Sequence, residues 1–346
     1  MKLLQFIDPE DGAQHVGLVR GEGVIDLTQT PEAPHSIHDI YYGGGDEIGL
    51  EAAVEKIEAT AATARRLSFQ ELLDNRDPLQ PYLVKPLSGP IGKPYALRVW
   101  LAGVTHEDSA KLREIEARQA TGDAVNVYEQ KYRECAAGGR PELFSKGDPD
   151  TVVGHGQALT RPADTERLVP ETELVSVYGL DKRGQVECLG FTGGNDATDN
   201  GIEATNPLNL PQAKNWAGGC ASLGPVMVTA SEYDDGDVTV SCEILRGGQR
   251  VGYKEGRTGQ NNLNMPDGRF HLERSLFSRI PLEPGQLQVF YWGTPMVFAD
   301  VDLSDGLQVG DVVRMMFSGG IGALENEIVE LSETGQLEDL RQNYHR

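Results

Sequence analysis

The sequence has no long apolar run. Nowhere does it reach the roughly 18 consecutive apolar residues that a membrane-spanning helix requires. The N-terminal apolar stretch from Leu3 to Ile7 is interrupted by Asp8 before it reaches the length of a signal-peptide core. We therefore expect a cytoplasmic protein that has no membrane partner.

Cysteine is scarce, and its spacing excludes the usual cysteine-based frameworks. The chain has four cysteines, with no Cys-x-x-Cys pair and no Cys/His spacing of the zinc-binding kind. This pattern predicts reduced thiols with ordinary packing roles. The four are Cys135, Cys188, Cys220 and Cys242.

Positive charge is also in short supply. The chain has 31 basic residues against 53 acidic ones, which gives a net charge of −22. Such a surplus repels phosphate backbones, so nucleic acid is excluded as a partner. Only 10 of the bases are lysines. A lysine-poor, acid-rich surface is typical of proteins from a high-salt cytoplasm, but an ordinary acidic enzyme fits as well, and both interpretations stay open.

A length of 346 residues favours one large catalytic domain with a smaller companion. Short alternating segments flank the turn signal Asp11-Gly12, which predicts a β-hairpin. Helical stretches are predicted over 47–65 and 68–75. We expect these elements to form a small N-terminal α/β domain over residues 1–85, followed by a proline-marked linker over 78–94.

Residues 95–330 contain many short strand patterns between Gly and Asn/Asp turns, with one helix predicted over 109–119. This pattern predicts an α+β domain dominated by a mixed or antiparallel sheet. Residues 331–346 are polar and are expected to form a tail.

Two carboxylates lie two positions apart at Glu171 and Glu173, just before an apolar strand pattern. In a strand this spacing directs both side chains to one face, about 7 Å apart. Such a pair repels unless a cation or a proton lies between them. Asp196 follows in a Gly/Asn-rich turn, and three oxygen ligands suit Mg²⁺ or Mn²⁺ better than zinc. Exposed strand faces also carry such pairs, so the spacing alone does not decide.

The order of further motifs resembles the fumarylacetoacetate hydrolase superfamily over residues 95–330. The motifs are Glu171-x-Glu173, Asn195-Asp196, Lys214, Gly224-Pro225 and Gly293-Thr294. The resemblance implies a mixed β-sheet roll and a Mg²⁺ ion, replaceable by Mn²⁺, held by Glu171, Glu173 and Asp196. It also implies that Lys214 and Thr294 contact the oxo-acid end of the substrate.

Finer motifs resemble one branch of that superfamily, the 2-keto-3-deoxypentonate dehydratases of the arabinonate and xylonate series. They are Gly103-Val104-Thr105, Arg140-Pro141-Glu142-Leu143-Phe144-x-Lys146 and Asn206-Pro207-Leu208-x-Leu210-Pro211-Gln212-Ala213-Lys214. This branch implies loss of water from a 2-keto-3-deoxypentonate, with Glu142 as a catalytic acid or base. Lys214 is the second catalytic candidate. Lys146 and His106 are candidates for substrate binding.

Departures from the superfamily pattern keep alternatives open. The hydrolase and decarboxylase branches carry a His-x-x-Glu dyad, whereas this chain has Ser109 and Leu112 at those places. A C–C bond hydrolase or acylpyruvase would lack that means of activating water. An inactive sugar-acid binding or regulatory protein is the other alternative. Asn200 replaces a common Arg, and His106 replaces an aromatic residue, so the C4 configuration of the substrate stays open. We expect a homo-oligomer.

Overall fold

A computed structural model describes residues 1–29, 33–43, 49–60, 64–107, 111, 127–299 and 303–332. Within these ranges sheet predominates, and seven short α-helices accompany it. This arrangement confirms the predicted α+β class. None of the helices in this part of the chain combines the length and the apolarity needed to cross a bilayer.

The chain opens with the predicted hairpin. Strands β1 (Lys2–Asp8) and β2 (Ala13–Arg20) pair in antiparallel fashion from Lys2 opposite Val19 to Asp8 opposite Ala13. Gly12 closes the turn with φ of +69°, a conformation that glycine adopts without a steric penalty. The local Asp-Gly signal was therefore sufficient to locate this turn.

The helices are short and are listed in chain order. They are α1 (Ile37–Gly43), α2 (Leu50–Thr60), α3 (Phe69–Asp74), α4 (Val127–Ala136), α5 (Asn200–Thr205), α6 (Leu210–Lys214) and α7 (Arg269–Phe277). The predicted helices over 47–65 and 68–75 correspond to α2 and α3, but residues 64–65 are not helical, and residues 47, 48 and 61–63 lie outside the described residues. Ser68 caps α3 by accepting a hydrogen bond from the Glu71 N–H. The helix predicted over 109–119 falls outside the described residues except for Lys111.

The remaining strands are also listed in chain order. They are β3 (Gly23–Asp26), β4 (Arg66–Ser68), β5 (Tyr82–Val84), β6 (Leu97–Gly103), β7 (Glu142–Ser145), β8 (Val152–Val153), β9 (Leu159–Arg161), β10 (Leu168–Val169), β11 (Thr172–Leu180), β12 (Val186–Asp196), β13 (Thr198–Asp199), β14 (Ala221–Thr229), β15 (Val238–Arg246), β16 (Gln249–Thr258), β17 (Leu287–Tyr291), β18 (Asp311–Phe317) and β19 (Gly322–Glu330). Single-turn 3₁₀ helices lie at Pro94–Ala96, Pro149–Thr151 and Pro207–Asn209.

Most strands belong to one large sheet. Its order is β4-β3-β2-β1-β14-β12-β11-β17-β6-β7, with β5 beside β1 and β8 beside β14. The pairs β6–β17 and β8–β14 are parallel and the others antiparallel, so the sheet is mixed, as predicted. Because β1 pairs with β14, the N-terminal strands extend the same sheet that carries the later strands. The division into units at residues 85–95 stays a prediction.

A five-stranded sheet, β16-β15-β18-β19-β9, packs near the centre of the large sheet. Gly193 on β12 shows how closely the two sheets approach, because a Cβ atom there would collide with the ring of Phe317 on β18. Phe191, Trp292 and Phe317 belong to the buried cluster between the sheets. All four cysteines have free thiols, which confirms that prediction.

Candidate active site

Three carboxylates meet where β11 begins and β12 ends. Thr172 pairs with Asn195, and the backbone N–H of Asp196 donates to the Glu171 carbonyl at 3.0 Å, so Asp196 lies opposite Glu171. Side chains alternate along a strand, and residues directly opposite share a face. Glu171, Glu173 and Asp196 therefore project to the same side of the hairpin. The Asn195 side chain fixes this end by accepting from the Glu171 N–H at 3.1 Å.

Their carboxylate oxygens form a compact buried group. One oxygen from each of Glu171, Glu173 and Asp196 lies within 4.8 Å of the others, and all three residues are at most 4% exposed. Burial raises the pKa of Glu173 well above its usual value, and the charges of Asp196 and Glu171 raise it further. The Gly293 N–H donates to Glu173 Oε2 at 2.8 Å and opposes that rise. The group therefore favours a positive charge among its oxygens.

Two buried lysines supply part of that charge. Lys214, the last residue of α6, donates from Nζ to Glu171 Oε2 at 3.0 Å, to Asp196 Oδ2 at 2.7 Å and to Thr198 Oγ1 at 2.7 Å. Lys146 Nζ forms an ion pair with Asp196 Oδ1 and donates to the Ala197 carbonyl at 2.7 Å. Burial alone would raise the pKa of Asp196, but the two ammonium groups outweigh it and lower that pKa.

The donor set fits a hard divalent cation. It consists of three carboxylates with no sulfur or imidazole, the ligand type that Mg²⁺ and Mn²⁺ prefer and that structural zinc sites rarely use. Three buried carboxylates also exceed the two ammonium groups that contact them, and uncompensated buried charge is costly. A cation at Glu171, Glu173 and Asp196 would remove that excess, so the residues present fit the magnesium site that the sequence predicts.

The three carboxylates line a cavity that brings together most of the predicted site residues. Glu142, Lys214 and Thr294 lie on its wall with them. The side chain of Lys146 is fully buried against Asp196 and does not line the cavity. His106 is buried in a hydrogen-bonded position beside Thr105 and Thr258, also outside that lining. The substrate contacts predicted for Lys146 and His106 stay predictions.

Glu142 reaches the cavity because a neighbouring residue has no side chain. It is the first residue of β7 and pairs with Gly103, the last residue of β6. A Cβ atom on Gly103 would collide with the Glu142 carboxylate, so glycine leaves the space that this carboxylate occupies. The next residue, Val104, has φ of +56°, an uncommon conformation for a β-branched residue. The turn after β6 therefore holds a strained backbone against the cavity.

The sequence assigned no role to three aromatic or charged side chains of the lining. They are Tyr128 on α4, Phe144 on β7 and Glu203 on α5. Glu203 is only 5% exposed, and α5 is fixed at its N-terminus by Asp199, which accepts from the Ile202 N–H. Its position seven residues after Asp196, inside a short helix that follows the strand, is the signal that could have found it. Tyr128 has no comparable local signal.

The site combines a Glu-x-Glu segment opposite an aspartate, a lysine at the end of a helix and a mixed sheet, and its three carboxylates could hold a metal ion. The chain belongs to the fumarylacetoacetate hydrolase family, because the family model described as "Fumarylacetoacetate (FAA) hydrolase C-terminal" matches residues 116–329. The predicted family is therefore confirmed.

Curated relatives point to one branch of the family. A Saccharolobus solfataricus protein named 2-dehydro-3-deoxy-D-arabinonate dehydratase is 35% identical over 198 residues, which span 57% of this chain and 60% of that protein. A Haloferax volcanii protein named "Probable 2-keto-3-deoxyxylonate dehydratase" is 33% identical over 234 residues, which span 67% of this chain and 72% of that protein.

Solved structures share the fold over nearly the whole chain. The apo form of a 2-keto-3-deoxy-D-arabinonate dehydratase superposes with a TM-score of 0.68 at 25% identity and covers 96% of this chain and 100% of that one. A second structure, of such a dehydratase complexed with magnesium and 2,5-dioxopentanoate, has a TM-score of 0.68 at 24% identity and the same coverage.

Proposed function

We propose that this chain is a Mg²⁺-dependent hydro-lyase that converts a 2-keto-3-deoxypentonate to 2-oxoglutarate semialdehyde, also called 2,5-dioxopentanoate. The observation that carries the proposal is the shared cavity, in which Glu142 faces the same space as the three-carboxylate group and Lys214. The relatives named as 2-keto-3-deoxypentonate dehydratases support the substrate class, as does the magnesium and dioxopentanoate complex of the structural neighbour.

The charges of the cavity explain why a metal is needed for such a substrate. A 2-keto acid is an anion, and a wall that carries Glu142, Glu171, Glu173 and Asp196 repels it. Lys214 offsets part of this repulsion. Mg²⁺ held by Glu171, Glu173 and Asp196 would add positive charge and supply a Lewis acid that polarises the 2-oxo group and makes the neighbouring C3 proton more acidic.

The chain's own residues would move the protons. Glu142, or Lys214 after its ammonium group has lost a proton, takes the C3 proton, and the C3–H electron pair forms the C3=C4 double bond as the C4–O bond breaks. Hydroxide is a poor leaving group, so Glu142 protonates the C4 oxygen and water departs. Transfer of a proton from C5 to C3 then gives a C4=C5 enol, which tautomerises to the C5 aldehyde. The balance is the loss of one water molecule.

Side chains around the cavity favour orientation of the polar end of the substrate. Thr294 is 6% exposed, and its hydroxyl donates to the Met296 carbonyl at 2.7 Å, which fixes its rotamer. Its oxygen keeps acceptor capacity for a substrate group. Lys214 Nζ lies 5.3 Å from the centre of the Phe144 ring, and this cation–π contact helps to hold the ammonium group in place.

A coupled assay tests the proposed function. Purified protein would be mixed with each C4 epimer of 2-keto-3-deoxypentonate, and a semialdehyde dehydrogenase would report on the product. We expect turnover of at least one epimer with Mg²⁺, loss of turnover in EDTA, and recovery when Mg²⁺ or Mn²⁺ is added back. Full turnover in metal-free protein, or no product from either epimer, would contradict the proposal.

A further inference from the structure

A line of buried hydrogen bonds connects strand β16 to Glu173. Thr258, the last residue of β16, has its hydroxyl oxygen 3.1 Å from His106 Nε2. His106 Nδ1 lies 2.9 Å from the Thr105 hydroxyl oxygen, and that hydroxyl donates to the Trp292 carbonyl at 2.6 Å. Thr105, His106 and Thr258 are all buried. This line of hydrogen bonds therefore runs through the core between the five-stranded sheet and the large sheet.

The chemistry of the donors fixes the direction of these bonds. A carbonyl oxygen only accepts, so the single hydroxyl proton of Thr105 is used at Trp292. The Thr105 oxygen must then accept from His106 Nδ1–H. Burial lowers the pKa of His106 to about 4, so the ring is neutral near pH 7 and holds one proton. That proton lies on Nδ1, and Nε2 accepts from the Thr258 hydroxyl.

The far end of the line is a peptide group that contacts the three-carboxylate group. The Trp292 carbonyl and the Gly293 N–H belong to the same peptide bond, and that N–H donates to Glu173 Oε2 at 2.8 Å. A carbonyl that accepts a hydrogen bond polarises its peptide and strengthens the N–H as a donor. Gly293 has φ of +84°, and a Cβ atom there would collide with the Thr105 hydroxyl. The close approach of Thr105 to this peptide therefore requires glycine.

We propose that Thr105 and His106 are positioning residues, which hold the Glu173 carboxylate in its ligating orientation through the Trp292–Gly293 peptide. The inference rests on the proposed metal site and assigns His106 to the support of a ligand instead of to substrate contact. Groups that orient metal ligands from behind commonly change metal affinity by 10- to 100-fold when removed. Thr105 should therefore affect Mg²⁺ binding even though Glu173 separates it from the ion.

Isothermal titration of Mg²⁺ into metal-free protein tests this without an activity assay. Thr105→Val keeps the shape and removes the hydroxyl, and we expect it to weaken Mg²⁺ binding by about 10-fold or more. Thr105→Ser keeps the hydroxyl and should restore most of the affinity. Thr229→Val is the matched control, because Thr229 is also buried and its hydroxyl also forms a hydrogen bond. That hydroxyl accepts from the N-terminal ammonium group at 2.6 Å, at the end of β14 that is remote from the three carboxylates. The control should bind Mg²⁺ as the wild type does.

If Thr105→Val does not fold, Thr258→Val tests the outer end of the line and should weaken Mg²⁺ binding to a smaller degree. Unchanged affinity in the folded variants would overturn the proposal. Nitrogen-15 NMR of wild-type His106, assigned against His106→Asn, adds an independent measurement. We expect a neutral ring protonated on Nδ1, and a ring protonated on Nε2 would also overturn it. Wild-type protein that bound no Mg²⁺ would instead refute the proposed function, and the tautomer would still decide the hydrogen-bond line.

Discussion

At the scale of a single residue, burial of Glu173 disfavours its negative charge, whereas metal binding requires that charge. Its carboxylate is buried beside the like charges of Glu171 and Asp196, which raises its pKa and makes ionisation costly. The proposed function nevertheless needs that charge to bind the metal. Such a residue lowers the stability of the metal-free protein and stabilises the metal-bound protein, so the two states should respond to its replacement in opposite directions.

Glu173→Gln should separate these effects. Glutamine keeps the volume and still accepts from the Gly293 N–H, but it carries no charge. In EDTA we expect the thermal midpoint of the variant to equal or exceed that of the wild type. Mg²⁺ at about 100 times its Kd should stabilise the wild type by about 2.7 kcal/mol and leave the variant unchanged. Glu327→Gln, at an exposed position on β19, is the control. If Mg²⁺ stabilised the wild type and Glu173→Gln equally, Glu173 would not be a metal ligand.

In the proposed reaction, Glu142 delivers the proton to the C4 oxygen. Glutamine at this position can donate a hydrogen bond but cannot deliver a proton to the C4 oxygen. We expect Glu142→Gln to lower kcat by about 10²-fold or more while Mg²⁺ affinity stays at the wild-type value. Exchange of the C3 protons with deuterated solvent assigns the step. Continued exchange without dehydration identifies Glu142 as the acid at C4, lost exchange identifies it as the C3 base, and near-normal kcat would exclude both roles.

At the scale of elements, the pairing of β6 with β7 places Glu142, the proposed acid, at the cavity. Gly103→Ala adds a methyl group where the Glu142 carboxylate lies. Because that carboxylate is the far end of a flexible side chain, the fold should survive and Glu142 should be displaced. We expect kcat to fall by about 10-fold or more with little change in the thermal midpoint, the scale on which small misplacements reduce catalysis.

The double variant Gly103→Ala/Glu142→Gln shows whether the glycine acts through the acid. If it does, the alanine adds no further loss once the carboxylate is gone. Gly23→Ala on β3 is a control, since a Cβ there meets its nearest atoms at ordinary distances of 3.7 and 3.8 Å. Additive losses in the double variant would show that Gly103 affects the site in another way.

Elements with local signals could be predicted from the sequence, whereas their contacts could not. The hairpin at Asp11-Gly12 and the helix capped by Ser68 depend on turn and capping chemistry within a few residues. The common face of Glu171 and Glu173 follows from strand alternation alone. Asp196 could be proposed as a third oxygen ligand from its turn, but its place opposite Glu171 depends on the register of β11 and β12, which no local pattern shows. The predicted helix at 109–119, apart from Lys111, and the predicted tail at 331–346, apart from residues 331 and 332, fall outside the described residues.

The roles of buried polar side chains were the least predictable. The sequence predicts a substrate contact for His106, whereas its hydrogen-bond partner Thr258 lies 152 positions away along the chain. The sequence also predicts a substrate contact for Lys146, and its fully buried side chain pairs with Asp196, 50 positions away along the chain. In both cases the deciding partner comes from another part of the sheet, and no local pattern marks such a pair.

At the scale of the whole molecule, the excess of acid sets the response to salt. A net charge of −22 means that repulsion between surface carboxylates opposes the compact state. Some of these carboxylates are paired, for example Asp237 with Arg257 and Glu58 with Arg20. Screening by salt therefore weakens both the attraction within these ion pairs and the general repulsion between carboxylates. Whether stability rises or falls with salt shows which of the two dominates. The homo-oligomer expected from the sequence stays a prediction.

We expect repulsion to dominate, because acids outnumber bases by 22 and both partners of each pair named above are partly exposed. Exposed pairs contribute about 0–1 kcal/mol each. Raising KCl from 0.1 M to 1 M shortens the screening length from about 10 Å to about 3 Å. The thermal midpoint of metal-free protein should therefore rise with KCl.

A variant with Glu22→Gln, Glu55→Gln and Glu327→Gln, three exposed acids, has less repulsion to screen. Its midpoint should start higher at low salt and rise less steeply. The comparison of slopes separates screening from the general effect of salt on apolar surface, which both proteins share. A midpoint that falls with KCl, or equal slopes in the two proteins, would show that the acid surplus does not limit the stability of this fold.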